Sequence, residues 1–218
     1  MALQNPSNPK NKFDYTGDIH NQIISVYVEK FGREKKSTDE ICRIIQEIAL
    51  KNENLQKLPD AKENSKVDCD IIKQGIDDFS NQFRNIVDSL NITEKAKAKL
   101  QELIDYNFDV AFKTENTNYN EYYKHIIDYE SDIIKNKSAY DKKDVKILLS
   151  ASSTARYSAY FWKKEIDETD ISNVITKRKW WQWAIIGVAD VVGVVDGGIT
   201  TGAGASTTAY TITNPKNK

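Results

Sequence analysis

Apolar residues recur along most of this chain at three-to-four spacing, the period of a helix that turns one face to a core. Ile19, Ile23, Ile24, Tyr27 and Phe31 make the first stripe; Thr16 stands where an N-cap belongs and Gly32 where a helix stops. Ser37 and Glu40 have capping-box spacing, and Ile41, Ile44, Ile45 and Ile48 follow on one face of a second helix ending near Lys51. The polar stretch from Asn52 to Lys66, with Pro59, reads as a connector. Ile71, Ile72, Ile76, Phe79, Phe83, Ile86, Val87 and Leu90 trace a third, long helix. Thr93 caps a fourth through Leu100, Leu103, Ile104, Phe108 and Phe112. Tyr119, Tyr122, Tyr123, Ile126, Ile127, Ile133 and Ile134 give a fifth that ends near Lys137, and Asp141 opens a sixth reaching about Ile166. No useful stretch alternates with period two, so the expected class is all-α: a bundle of about six or seven helices with a glycine-rich hydrophobic C-terminal helix packed in or against it. Residues 1–13, rich in Asn and Pro, read as a flexible arm, 14–179 as the bundle, and 180–218 as the C-terminal segment, a packed helix followed by an irregular tail.

The last segment breaks the amphipathic pattern. After Lys177, Arg178 and Lys179 come Trp180, Trp181 and Trp183, then a run without Lys or Arg from Ala184 to Ala209 that contains Gly187, Gly193, Gly197, Gly198 and Gly202. Flanking cations, an aromatic belt and glycines four apart (Gly193 with Gly197, Gly198 with Gly202) are membrane-helix attributes. The two carboxylates in the run argue the other way. Asp190 and Asp196 together cost roughly 5–7 kcal/mol near a bilayer centre, against roughly 2.5–5 kcal/mol returned by the Ile and Val residues. The segment is therefore expected to be a buried helix of its own protein, its glycines set against the small stripe Ala151, Ala155, Ser158 and Ala159 of the sixth helix. A buried acid needs a cation, and Arg156 is the arginine in a comparably apolar, small-residue setting, so an ion pair of Arg156 with Asp190 or Asp196 is predicted.

The run from Lys179 through Trp180, Trp181 and Trp183 to Asp190, with the Gly, Ala and Thr that follow, resembles the glycine-rich hydrophobic tails of bacteriocin-like peptides and of helical bacterial proteins that carry such a tail. The resemblance covers about thirty residues and is compositional. It implies membrane-active, antibacterial behaviour as the alternative to a binding role, with membrane contact through the C-terminal segment.

Composition narrows the remaining choices. Lys and Arg number 31 against 32 Asp and Glu, so the chain has no global attraction for nucleic acid. Cys42 and Cys69 lie on different predicted helices without a neighbouring thiol, and are expected to be reduced, buried thiols. Met1 to Phe13 holds no apolar run of a secretory signal, which points to the cytoplasm by default, with non-classical export as the other route. His20 and His125 fall on separate helices, and Glu121 precedes His125 by four residues rather than the three of a di-iron motif. No phosphate loop, nucleophile elbow or zinc-helix motif occurs, so neither a cofactor nor a metal nor a catalytic residue is expected. The reading is a non-enzymatic structural or protein-binding bundle whose partner is another protein or a second copy of the chain, with an enzyme or small-molecule-binding bundle as the second alternative after the membrane-active one.

Overall fold

Among the described residues every regular element is helical. They run as α1 (Tyr15–Phe31), α2 (Thr38–Lys51), the short α3 (Glu53–Gln56) and α4 (Ala61–Asn64), α5 (Cys69–Asp77), α6 (Glu94–Phe112), α7 (Tyr119–Lys135), α8 (Lys142–Thr169) and α9 (Arg178–Ile212). The fold is that of a computed structural model, which describes residues 3–32, 34–77, 85–112, 118–169 and 178–212, and the side chains of all of these except 74–77, 111–112, 166–169, 178–188, 192, 196 and 212.

Local chemistry accounts for most boundaries. The Ser37 hydroxyl accepts from the Glu40 amide while the Glu40 carboxylate accepts from the Ser37 amide, the reciprocal cap predicted for α2. Asn118 and Glu121 repeat the device at the start of α7. Gly32 ends α1 at φ +51°, its amide bonded to the Val28 carbonyl. The cap of α1 differs from expectation. The helix starts two residues earlier, Asp14 is its N-cap, and the Thr16 hydroxyl donates to Ser150 Oγ of α8 at 3.2 Å instead. The predicted third helix is present as α5 and as helical residues 85–89; Phe79 and Phe83 fall outside the described residues.

α8 is the axis. It packs against α1, α6, α7 and α9, and its small residues Ala151, Ser152, Ala155, Ser158 and Ala159 are all buried. The close approach expected along this stripe is made by α1: a Cβ on Gly17 would stand 2.6 Å from the Ser153 carbonyl oxygen. α9 fills the other side of α8 and also touches α1, α2, α4, α5 and α6.

α9 is a hairpin rather than a rod. Gly198, at φ +83° and ψ −176°, interrupts it, and the two arms fold back on each other. Residues nine apart in a straight helix are separated by about 13.5 Å along the axis. Here a Cβ on Gly193 would lie 2.7 Å from Gly202 Cα, and one on Gly202 would lie 3.1 Å from the Asp190 carbonyl oxygen. The glycines thus meet across the turn, Gly193 against Gly202, and not against the α8 stripe. The second arm stays helical to Ile212 despite its weak propensity. Burial overrides propensity, and four of the arm's hydroxyls find a carbonyl one turn back: Thr201 to Gly197 at 2.9 Å, and Thr207 to Ala203, Thr208 to Gly204 and Thr211 to Thr207 at 2.8 Å. The irregular tail expected after Gly198 is replaced by this arm; residues 213–218 are outside the described set.

Two further expectations are corrected. The N-terminal arm, read as flexible, is packed onto the bundle, with Asn8 and Asn11 only 6% and 3% exposed. Cys42 and Cys69, read as reduced, form a disulfide with Cα atoms 6.1 Å apart. They do sit on separate helices, and α5 docking beside α2 brings them within bridging range.

Gly193→Ala tests the hairpin crossing. Its new methyl meets backbone rather than a flexible side chain, so the loss should be about 1–3 kcal/mol, or roughly 2–12 °C in Tm at this chain size, read by a circular-dichroism melt.

Candidate functional site

The most chemically dense part of the molecule is a buried cluster of charged and polar side chains between the N-terminal arm, α1, α7, α8 and the first arm of α9. Its centre is Glu130. Along α7 the buried positions are Tyr119, Tyr122, Ile126, Tyr129, Glu130 and Ile133, so the glutamate occupies a core position of its helix. It is fully buried, and both of its oxygens accept hydrogen bonds. Asn8 Nδ2 donates to Oε2 at 2.5 Å; Asn11 Nδ2, Ser152 Oγ and Arg156 Nη2 donate to Oε1 at 2.8, 2.9 and 3.0 Å.

Arg156 is equally buried and bridges two carboxylates. Its Nη2 lies 2.5 Å from Asp14 Oδ1 and 3.0 Å from Glu130 Oε1. Burial alone would pull the guanidinium down, but the charges and hydrogen bonds of Glu130 and Asp14 outweigh it and hold the group above its ordinary value. Asp14 also accepts from the Asn8 amide at 3.0 Å and from the Tyr157 hydroxyl at 3.1 Å. Burial, helped by the Asp14 charge, pushes the Tyr157 phenol up to about 12. It remains a donor across the physiological range.

The expected pairing is therefore redirected. Arg156 is buried against carboxylates, but they are Asp14 and Glu130, not Asp190. Asp190 is buried in the first arm of α9 and takes the Ser158 hydroxyl on Oδ2, while His20 Nε2 of α1 lies 3.6 Å from its Oδ1. That spacing is an ion-pair distance and longer than a hydrogen bond. His20 is held on its other side near Asn21 Oδ1 at 3.2 Å, and Asn21 donates to the Tyr157 carbonyl at 2.7 Å. The Asp196 side chain, and those of Trp180, Trp181 and Trp183 with Gly187, lie outside the described ones; their backbone belongs to the first arm of α9. Gly197, Gly198 and Gly202 are gathered at the hairpin turn and crossing.

In the group Ser158, Asp190 and His20 the carboxylate stands between hydroxyl and imidazole, so the histidine does not accept the serine proton, and all three are fully buried. Among the described residues no group of three or more His, Cys, Asp or Glu is placed to hold a metal. A cleft of about 590 Å³ lies between α1 and α2, with Val26, Phe31, Ile44 and Ile48 among its lining and charges of both signs beside them. It shares no residue with the buried cluster.

Sequence reasoning missed Glu130, Asp14, Asn8 and Asn11. A signal for one was present: Glu130 falls in the apolar register of α7, as His20, weighed only as a ligand, falls between Ile19, Ile23 and Ile24 on the apolar face of α1. A charge at a core position is a site marker whatever its surroundings in sequence.

The molecule is thus an all-α bundle that encloses a glycine-rich helical hairpin and a buried Arg–carboxylate cluster. No family model matches the chain, nor does any curated protein or solved structure.

Two outcomes follow. Arg156→Ala leaves Glu130 charged and uncompensated in the interior, and should cost about 3–5 kcal/mol in urea unfolding, whereas removal of the exposed Arg43–Glu47 pair should cost less than about 1 kcal/mol. His125, stacked on Tyr106 with ring centroids 3.5 Å apart, is lowered from 6.5, chiefly by burial. The unfolded chain therefore takes the proton first as pH falls, and stability present above pH 6.5 is lost below it. His125→Gln should flatten the Tm profile from pH 6.5 downward.

Proposed function

We propose that this protein is a non-enzymatic helical bundle that serves as a structural or protein-binding module, with its hydrophobic C-terminal segment kept inside as scaffold. One observation carries the reading: every described side chain from Thr200 to Tyr210 is buried, and the opposite arm contributes Ala189, Asp190, Val191, Gly193 and Val194 to the same interior. The hairpin is held by polar bonds as well as packing. Trp162 Nε1 donates to Ser206 Oγ at 2.9 Å, and its ring stacks on Tyr210 at 4.3 Å. Among the described residues no helix is long and apolar enough to cross a membrane.

The interior also argues for the non-enzymatic half of the proposal. Two acids and a serine, residue types that catalyse elsewhere, are bonded across helices: Glu130 to Arg156 and Asp190 to Ser158. What remains for a partner is the outer surface, where the cleft between α1 and α2 is lined by apolar and charged side chains together, the mix that helix-binding grooves use.

The rival reading, a membrane-active effector that releases its tail, gives the opposite outcome in a truncation ending at Lys179. As scaffold, the hairpin is indispensable: the shortened chain should lose its cooperative melt and much of its helicity, and the intact protein should neither float with anionic vesicles nor leak their dye. A truncated chain that melts cooperatively, together with vesicle leakage by the intact one, would reverse the assignment.

A further inference from the structure

We propose that the Cys42–Cys69 disulfide is a redox latch on the buried hairpin, holding residues 52–68 as a strap across the Gly198 turn and loosening that turn when it is reduced. This goes beyond the binding role and concerns how the hairpin is retained, whatever partner the bundle meets.

The strap touches the turn through several polar groups. Thr200 Oγ1 donates to the Asn64 carbonyl, the Ile199 amide reaches Asn64 Oδ1 at 3.4 Å, and the Asp68 amide donates to Thr201 Oγ1 at 3.0 Å. Asn64 also covers Gly198 itself, its Oδ1 3.0 Å from where a Cβ would stand. At φ +83° that position favours glycine, and here the strap fills the space as well.

The two ends of the strap are α2 and α5, and the disulfide joins those helices directly. It closes a ring across a sequence separation of 27, with the strap as the part of the ring that crosses the hairpin. α5 also presses on the second arm: a Cβ on Gly204 would stand 2.7 Å from Ile72 Cδ1. Cys69, three residues before Ile72, is the covalent anchor of that contact.

The two sulfurs differ in access. Cys42 is 3% exposed, while Cys69 is partly exposed in a shallow surface crevice shared with Lys66, Asp68 and Gly197. A dithiol reductant can therefore attack at Cys69. Its thiolate forms a bond to Cys69 Sγ, the protein S–S bond breaks, and Cys42 leaves as a thiolate that takes up a proton. The second thiolate of the dithiol then displaces Cys69 from the mixed disulfide. Two electrons pass to the protein, both cysteines end as thiols, and the reductant ends as its own cyclic disulfide. The latch closes under oxidising conditions and opens under reducing ones.

Hydrogen exchange by mass spectrometry on the full chain tests the latch, with and without dithiothreitol, beside the Cys42→Ser/Cys69→Ser variant. Loss of a ring of this size is expected to speed exchange in residues 60–68 and 199–204 on the order of a hundredfold, with α7 and the centre of α8 unchanged. Equal acceleration everywhere would make the disulfide a general staple and overturn the proposal, as would no acceleration at the turn or two free thiols in the oxidised protein. If the double serine variant fails to fold, Asn64→Ala with the disulfide intact decides. It removes the Oδ1 contact with the turn, so exchange at residues 199–204 should already be fast and respond little to reductant. An undiminished response in that variant would refute the latch.

Discussion

A single buried carboxylate sets the terms for the rest of this structure. Glu130 has no exposed surface, so it must be neutralised and hydrogen-bonded from within, and the groups that do so come from distant parts of the chain: Asn8 and Asn11 before α1, and Ser152 and Arg156 on α8. Each partner inherits a constraint. Arg156 has more N–H donors than Glu130 occupies and reaches Asp14 as well, the residue just before the first turn of α1. An arm with no apolar period becomes ordered because its asparagines are needed in the interior.

Around that cluster the bundle solves a packing problem with small residues. α8 carries alanine and serine where a conventional core helix carries leucine, so α1 approaches it at Gly17 closely enough for backbone contact. The hairpin repeats the strategy inside itself at Gly193 and Gly202. Close backbone approach costs apolar area per contact and gains dispersion contact and short hydrogen bonds to serine and threonine. Asp190 joins the two regions: it sits one turn from Gly193 and reaches Ser158 of α8 and His20 of α1.

The legible part of the fold was what periodicity and caps encode. α1, α2, α6, α7 and α8 lie within a few residues of their predicted spans because their apolar stripes and their Ser37 and Thr93 caps are local signals. The expectation that the C-terminal acids need company inside the protein rested on desolvation, and the structure supplies that company for Asp190 from His20 and Ser158. Which partners they would be was not legible. Pairing Arg156 with Asp14 and Glu130 depends on contacts between residues 26 and 142 positions apart, which no spacing rule reports. The helix beyond Gly198 was hidden for a related reason, since its propensity is poor and only burial makes it helical. The disulfide was hidden because proximity of α2 and α5 is a tertiary fact.

The place of α9 also has a kinetic meaning. The helices that surround it are made before it, and its second arm leaves the ribosome only after α1, α5, α6 and α8 have emerged. Those helices must wait with their inner faces uncovered, or close on one another and reopen. Contacts of such large sequence separation slow folding and prolong exposure of sticky surface. A bundle wound around a segment made after its walls leaves those walls open to wrong contacts for as long as that segment takes to arrive.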